Sequence, residues 1–383
     1  MTTAGLEVGF ATETITPDVP VQLAGFAEDQ PAAEVHDELE VRAVVMRGAG
    51  SAGSAVCLLV FDLLGMSRGF ATPVRDAVAA ALGTDRDAVL TSCVHTHAGP
   101  GTIEGGERLG WHTPDGYGEV LVARSVEAAG AAAARAAPAS LRAGRLRLPE
   151  GLSVNRRGHP YAPTFSVVDV VGFDGVRLGV IANVSIHPVV LGPECRSVSS
   201  DWVGAFRREL EARAGGAAVL VSGALGDVNP RHVHRQGNDC AADPFSEADA
   251  LGADVAAAVA AALDGTEALP GSDEGPVVSR ARRLDVTLGP TLLAGAHGGR
   301  HASIELVEWT LGALRIVSVP GEAFHALGRD VDARVEAGGQ ATLLVGLAPE
   351  WRGYLPCPYT EGYEESMSYG SDAVAAIARA LTS

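Results

Sequence analysis

The feature that most constrains the fold is a repeated pairing of apolar, strand-forming runs with no helix between them. Residues 39–47 (LEVRAVVMR) are followed by 55–62 (AVCLLVFD), 165–173 by 176–186 (VRLGVIANVSI), and 303–310 by 313–319 (ALRIVSV). Runs of this length, rich in Val, Ile and Leu, read as strands, and close neighbours in sequence turn back on one another as antiparallel hairpins. Further strand-like runs at 88–94, 141–148, 217–222, 278–287 and 341–346 stand among helical patterns at 67–82, 117–136, 201–213, 245–263, 322–336 and 370–381. The expected fold class is therefore α/β, with mixed β-sheets flanked by helices. An eight-fold βα barrel is excluded, because it needs strict alternation. Ser67 and Asp201 stand where N-caps belong, and Asp201 reads as a cap rather than a catalytic acid.

Five strand ends each deliver a group that can coordinate a metal or move a proton. The run 88–94 passes into His95-Thr96-His97 and a Gly/Pro turn, 176–186 into His187-Pro188, and 313–319 into Pro320-Gly321-Glu322. The run 217–222 leads into SGALGDVNPRH, with Asp227 and Asn229, and 341–346 into a loop carrying Tyr354, Tyr359 and Tyr363. Loops at strand ends are where α/β proteins keep their chemistry. In extended backbone, residues two apart share a side, so His95 and His97 can reach one point. Two histidines and a carboxylate make a catalytic zinc ligand set with positions left for water and substrate. Spacing alone does not choose between His95 and His97, nor among the tyrosines. Asp62, at the end of a buried strand, reads either as the partner behind a ligand histidine or as a turn cap. His232 and His234 flank the Asn229 loop as candidate pocket residues. His325 falls one helical turn from Glu322 in a packed role. His297 and His301 suit a pocket edge, and Trp111, Trp202, Trp309 and Trp351 suit core or pocket walls.

Composition narrows the partners. The chain has 29 basic and 47 acidic residues, a net charge of −18, which repels nucleic acid and anionic membranes. Its first residues lack the basic and apolar regions of a secretory signal, and its Ala-rich runs are too short and too polar to span a bilayer. Five cysteines form no C-x-x-C pair, which fits free thiols in a reducing compartment. No G-x-G-x-x-G or Walker pattern supports a nucleotide cofactor. A cytoplasmic protein with a small-molecule substrate is expected, and an assembly of identical chains stays open. No composition shift cuts the chain convincingly, so residues 1–383 are expected to form one catalytic domain.

The motifs, taken in order, resemble the neutral (alkaline, non-lysosomal) ceramidases over nearly the whole chain. VGFATETITP looks like that family's opening segment, and VHDELEVRAVVM is similar to its G-I-H-D-x-L-x-A-R-A strand entry. TSCVHTHAGPG closely matches T-H-T-H-S-G-P-G. SVNRRG, VSSDWVG and VPGEAF resemble N-R-S, S-A-D-x-x-G and P-G-E-F, and RGYLP…GYEESMSYG is like the family's paired-tyrosine tail. The resemblance implies a ceramidase catalytic-domain fold with its active site at strand ends. It implies one zinc held by His95, His187, Glu322 and Tyr354. It implies that His97 serves as acid/base, and that Arg156 and Tyr363 contact a scissile amide.

Two departures shape the expectation. Where the family's G-D-V-S-P-N carries a serine proposed as nucleophile, this chain reads Gly226-Asp227-Val228-Asn229-Pro230-Arg231. Asn229 cannot attack a carbonyl, so cleavage falls to metal-activated water, with the Asn229 amide as a hydrogen-bond donor to the substrate or that water. The chain is also expected to lack the family's C-terminal accessory domain. The expected activity is zinc-dependent cleavage of an amide bond in a small soluble substrate. Ester or lactone hydrolysis, or a zinc protein of this fold that binds or rearranges a metabolite, are the alternatives.

Overall fold

Continuously apolar runs form the centre of the molecule. The structure is a computed structural model and describes residues 5–26, 29–48, 55–233, 243–272 and 275–383. Every residue of Ala55–Phe61 (β3) and Val89–Cys93 (β4) is buried. Such runs are covered on both faces, as parallel pairing requires. They lie at one end of a large sheet with Glu7–Thr14 (β1), Glu40–Arg47 (β2), Ala137–Arg147 (β5), Thr164–Gly172 (β7), Arg177–Val184 (β8) and Ala217–Ser222 (β9). A short strand, Ser153–Asn155 (β6), lies outside it. The order is β9-β8-β7-β5-β1-β2-β3-β4, with Glu267–Ala268 (β10) added beside β5. The expected hairpins β2/β3 and β7/β8 are antiparallel, whereas β3/β4 and β8/β9 are parallel. The sheet is mixed, as expected. It curls until its edge strands β9 and β4 meet, where the Ser222 hydroxyl donates to the carbonyls of Cys93 (2.9 Å) and Val94 (3.1 Å).

Strand β1 is not legible as a strand in the sequence, because Gly9 and its polar residues interrupt the apolar pattern. A methyl group at Gly9 would lie 2.0 Å from the carbonyl of Ala132. Helix Tyr117–Ala134 (α2) presses onto β1 there with the fully buried Ala128, Ala129 and Ala132. The small side chains permit a close approach, and the glycine completes it.

A second sheet contains Val278–Thr287 (β11), His301–Leu311 (β12), Leu314–Val319 (β13) and Ala341–Gly346 (β15), in the order β11-β12-β13-β15. Side-chain alternation assigns its two faces. Leu343 and Val345 enter the core shared with the large sheet, and Leu344 enters a second core with helices His325–Ala337 (α6) and Ser371–Thr382 (α8). On the far side of the large sheet, Arg68–Leu82 (α1) packs on α2 and β4. Trp202–Ala214 (α3) packs on β9 and on Pro244–Ala262 (α4). The result is helix, sheet, sheet, helix. Among the described residues no helix is long and apolar enough to cross a membrane. Cys57, Cys93, Cys195 and Cys357 are free, and Cys240 lies outside the described residues.

One boundary differs from expectation in a way that matters. Helix α6 begins at His325, not at Glu322. Glu322–Ala323 is a two-residue strand (β14) paired in parallel with Tyr354–Leu355 (β16), in register Glu322↔Tyr354. Gly321, at φ 142°, turns the chain into that pairing. His325 is therefore not one helical turn from Glu322, and it packs edge-on against Tyr161 instead.

Candidate metal centre

His95, His187, Asn229 and Glu322 follow the parallel pairs β3/β4, β8/β9 and β13/β15, whereas Arg156 follows the short strand β6. The backbone amide of His95 donates to the carbonyl of Leu63, at a positive φ of 77°. The strand argument for His95 and His97 is thus corrected: the segment has left the strand, and His95 is left-handed rather than extended. Their rings nevertheless meet, with centroids 5.0 Å apart and planes at 85°.

His95, His187 and Glu322 form a buried cluster of three metal-binding side chains. His95 Nε2 and His187 Nε2 each lie 3.2 Å from Glu322 Oε2. The other ring nitrogens are committed to the backbone. His95 Nδ1 donates to the Leu64 carbonyl (2.5 Å) and His187 Nδ1 to the Val228 carbonyl (3.0 Å). With Nδ1 of each ring on a carbonyl, Nε2 is the atom each turns to Glu322, and His187 Nε2 lies within hydrogen-bond distance of its Oε2. Burial pushes the His187 pKa down to about 4. Burial alone would raise the Glu322 carboxyl, yet the facing His95 and His187 hold it well below the usual carboxylate range. Two imidazole nitrogens and one carboxylate oxygen therefore face a single point, where either a proton or a cation bridges them. That is the donor chemistry of a divalent cation, and two imidazoles with a carboxylate suit zinc. The second oxygen, Glu322 Oε1, accepts from Trp351 Nε1 at 2.9 Å, which fixes the carboxylate.

Asp62 does not stand behind a ligand histidine. Its carboxylate forms two 2.6 Å hydrogen bonds with the buried Arg207 guanidinium and accepts from the Glu40 amide. Backbone carbonyls do the work expected of it. Asp201 is the N-cap of α3, as read, and its carboxylate also accepts from Val190 and Leu191, tying down the turn after His187. Ser67 stands at the N-cap position of α1 but makes no side-chain cap bond; Glu104 takes the Gly69 amide instead.

All eight expected site residues line one cavity of about 370 Å³: His95, His97, Arg156, His187, Asn229, Glu322, Tyr354 and Tyr363. Both ring nitrogens of His97 are buried and lack a hydrogen-bond partner among the described residues. Burial, then the neighbouring His95 and His187, hold its pKa well below the usual imidazole value. Contact positions the ring: Phe26 packs edge-on at 4.7 Å, and a methyl group at Gly25 would fall 2.4 Å from His97 Cγ. Arg156 donates to Glu364 Oε1 (2.9 Å), to Asn229 Oδ1 (3.0 Å) and to the Gly226 carbonyl (2.7 Å). Its guanidinium lies 5.6 Å from the Tyr354 ring centroid. Because arginine only donates, Asn229 must turn its oxygen to Arg156 and its Nδ2 elsewhere. Burial first, then Glu322, raise the Tyr354 phenol well above its usual pKa. Tyr363 stands more exposed at the mouth, its ring 6.0 Å from that of Tyr354.

Other expectations fall away from this cavity. His232 lines a neighbouring one, His234 lies outside the described residues, and neither His297 nor His301 lines the site. Sequence reasoning offers Trp351 only as a core or pocket wall and does not mark Glu364 or Gly25, because they have no metal-ligand or acid/base spacing of their own. The sequence offers Asp227 as a coordinating or proton-moving group, and the structure gives it a different role. It lies outside the cavity and joins three segments that surround it. Its carboxylate accepts from Asn155 Nδ2 (2.6 Å) and the His325 amide (2.7 Å), and its carbonyl accepts from the Arg156 amide (2.9 Å). The same residue thus sets the Arg156 and Asn229 loops against the start of α6.

The fold has known structural counterparts. The structure of neutral ceramidase from Pseudomonas aeruginosa superposes with a TM-score of 0.81 at 19% identity, over 99% of this chain and 74% of that one. A ceramidase complexed with C2 gives 0.80 at 18% identity with the same coverage. The fold is that of neutral ceramidase, as the motifs implied. No protein-family model matches the sequence, and no curated protein matches it.

Proposed function

We propose that this protein is a zinc-dependent hydrolase that cleaves an amide bond of a small soluble substrate, with water as nucleophile. The observation that carries the reading is the convergence of His95, His187 and Glu322, as buried lone-pair donors, in a neutral-ceramidase fold. Tyr354, in register with Glu322, completes the ligand set. Zinc, when bound, supplies Lewis acidity, polarising a carbonyl and lowering the pKa of a water toward ~7. His97, with two unengaged nitrogens, takes a proton from the attacking water and gives it to the leaving amine as the C–N bond breaks. Arg156, oriented by Glu364, and Tyr363 at the mouth stabilise the developing oxyanion. None of the described residues lining the cavity is Ser, Thr or Cys, which favours water over an acyl-enzyme. The reading includes a single catalytic domain and a cytoplasmic location.

Asn229 provides the sharpest test. With its oxygen on Arg156, its Nδ2 serves as a donor to the substrate carbonyl or the attacking water. Asn229→Ala is expected to lower kcat by ~10²–10³-fold, the usual cost of one such donor, on a panel of N-acyl amines. Asn229→Ser is not needed for activity. A wild type inert on every amide and ester, with hydrolysis switched on by Asn229→Ser, would overturn the water route in favour of a binding or non-hydrolytic protein.

Asp227 acts as a positioning residue. Asp227→Asn sets donor against donor at Asn155 and is expected to reduce kcat/KM by ~10–10²-fold through misplacement of the loops, with zinc content unchanged. Adding Asn155→Asp to Asp227→Asn exchanges the partners. The amide introduced by the first change then donates to the carboxylate introduced by the second. That carboxylate can still accept from the Arg157 and His159 amides, as the Asn155 side-chain oxygen does in the wild type. Recovery of kcat/KM in the double variant is the expected result. Equal losses in single and double variants would show that the loops do not depend on this pair.

A further inference from the structure

The cavity has two unlike walls, and together they describe a substrate. One wall is aromatic and offers carbon only. Trp111 and Trp351 meet edge-to-face at 6.4 Å, and both indole N–H groups are already spent on the protein. Trp351 donates to Glu322, and Trp111 donates to the Phe26 carbonyl at 2.9 Å. Met367 and Leu64, both buried, complete this wall. Behind it, Ile103, Leu225 and Phe324 pack into one cluster with these side chains, so the wall is backed and closed. A group placed here meets ring faces and edges, a thioether and no hydrogen-bond donor.

The other part of the lining is polar but electrically balanced. Glu364 lies between Arg156 and Arg157, at 2.9 and 2.7 Å, and Glu365 lies 3.3 Å from Arg157, so two carboxylates answer the two guanidinium charges within the protein. No surplus cation remains among the described residues of this wall to draw an anionic substrate. What it offers is hydrogen bonding from Asn229 and the Tyr363 phenol.

Size sets the remaining limit. A cavity of about 370 Å³ stands near the lower end of the ~300–1,000 Å³ that small-molecule sites occupy. A long acyl chain would need an apolar track continuing outward. Among the described residues, the apolar side chains lining the cavity beyond that wall and the Tyr354 ring are Phe26, which packs on His97, Val189, Val233 and the exposed Tyr363.

Resting on the hydrolytic reading above, we infer that the substrate is an uncharged amide of two unlike halves. A compact aryl or branched apolar group lies against Trp111, Trp351 and Met367, and a neutral hydroxylated or amide-bearing group faces Arg156 and Asn229. A long-chain acyl amide is disfavoured. Hydrolysis adds water across the C–N bond and yields a compact apolar carboxylic acid and a polar amine.

The test uses the zinc-loaded full chain and three amides of ethanolamine: acetyl, phenylacetyl and dodecanoyl. The phenylacetyl amide is expected to exceed each of the others roughly tenfold or more in kcat/KM, the discrimination that filling an apolar pocket provides. Tryptophan-fluorescence titration with acetate, phenylacetate and dodecanoate reads the same wall without turnover, and the same order is expected. Trp111→Leu and, separately, Met367→Ala should bring the phenylacetyl-to-acetyl ratio toward one. A dodecanoyl preference, or a flat order in both assays, overturns the inference even if hydrolysis is brisk. Failure of all amides to turn over, with the carboxylates still bound in the expected order, overturns the hydrolytic reading and supports the shape of the pocket.

Discussion

His187→Ala is expected to strip the metal from this protein and abolish turnover with it. The wild type should carry about one zinc per chain, held by at least three side chains. His187 supplies one of the three converging lone pairs, and its ring is fixed from behind by the Val228 carbonyl. Alanine removes the donor and leaves a buried carboxylate facing His95 alone. Metal analysis of the purified variant, set beside its rate, checks the result. Were His187 only the residue that closes β8 before Pro188, alanine would be tolerated. Full zinc retention in the variant would remove the site.

The second large effect separates the two histidines of the His95-Thr96-His97 segment. His97→Ala should keep its zinc and lose ~10²–10⁴-fold in rate, the usual contribution of a positioned acid/base. His95→Ala should lose both. The structure motivates the difference. Nε2 of His95 points at Glu322 while its Nδ1 is held by a carbonyl, whereas neither nitrogen of His97 has a partner among the described residues. Equal metal loss in the two variants would show that both histidines ligate and that the proton carrier lies elsewhere.

Which parts of this site can be read from sequence follows from how each part is encoded. Strands such as β3 and β4 are buried on both faces and spell themselves out as apolar runs, so their ends, and the His and Glu residues just beyond, stand out. Strand β1 does not, because its fit against α2 depends on a missing side chain at Gly9, which weakens the very pattern used to find strands. The start of α6 is misplaced by the sequence pattern because Glu322 is held extended by Tyr354, a partner with no local signature. The choice of His95 over His97 rests on a left-handed residue and on the Leu64 carbonyl, and alternation along a strand can foresee neither. Asp62 illustrates the opposite error. A buried acid near a histidine invites pairing with it, but Arg207, on a distant helix, claims both its oxygens.

The pairing of Glu322 with Tyr354 also bears on how the molecule is made. His95 and His187 leave the ribosome as parts of the large sheet, whereas Glu322 follows only with the second sheet, and it is set in place by a strand made later still. At ~5–20 residues per second, a growing chain spends several seconds with its histidines formed and no carboxylate to meet them. On the proposed zinc reading, the ion therefore does not guide early folding, as it does in small domains whose ligands are close in sequence. On that reading, capture of the ion would report that the two sheets have docked, since Glu322 reaches the histidines only then.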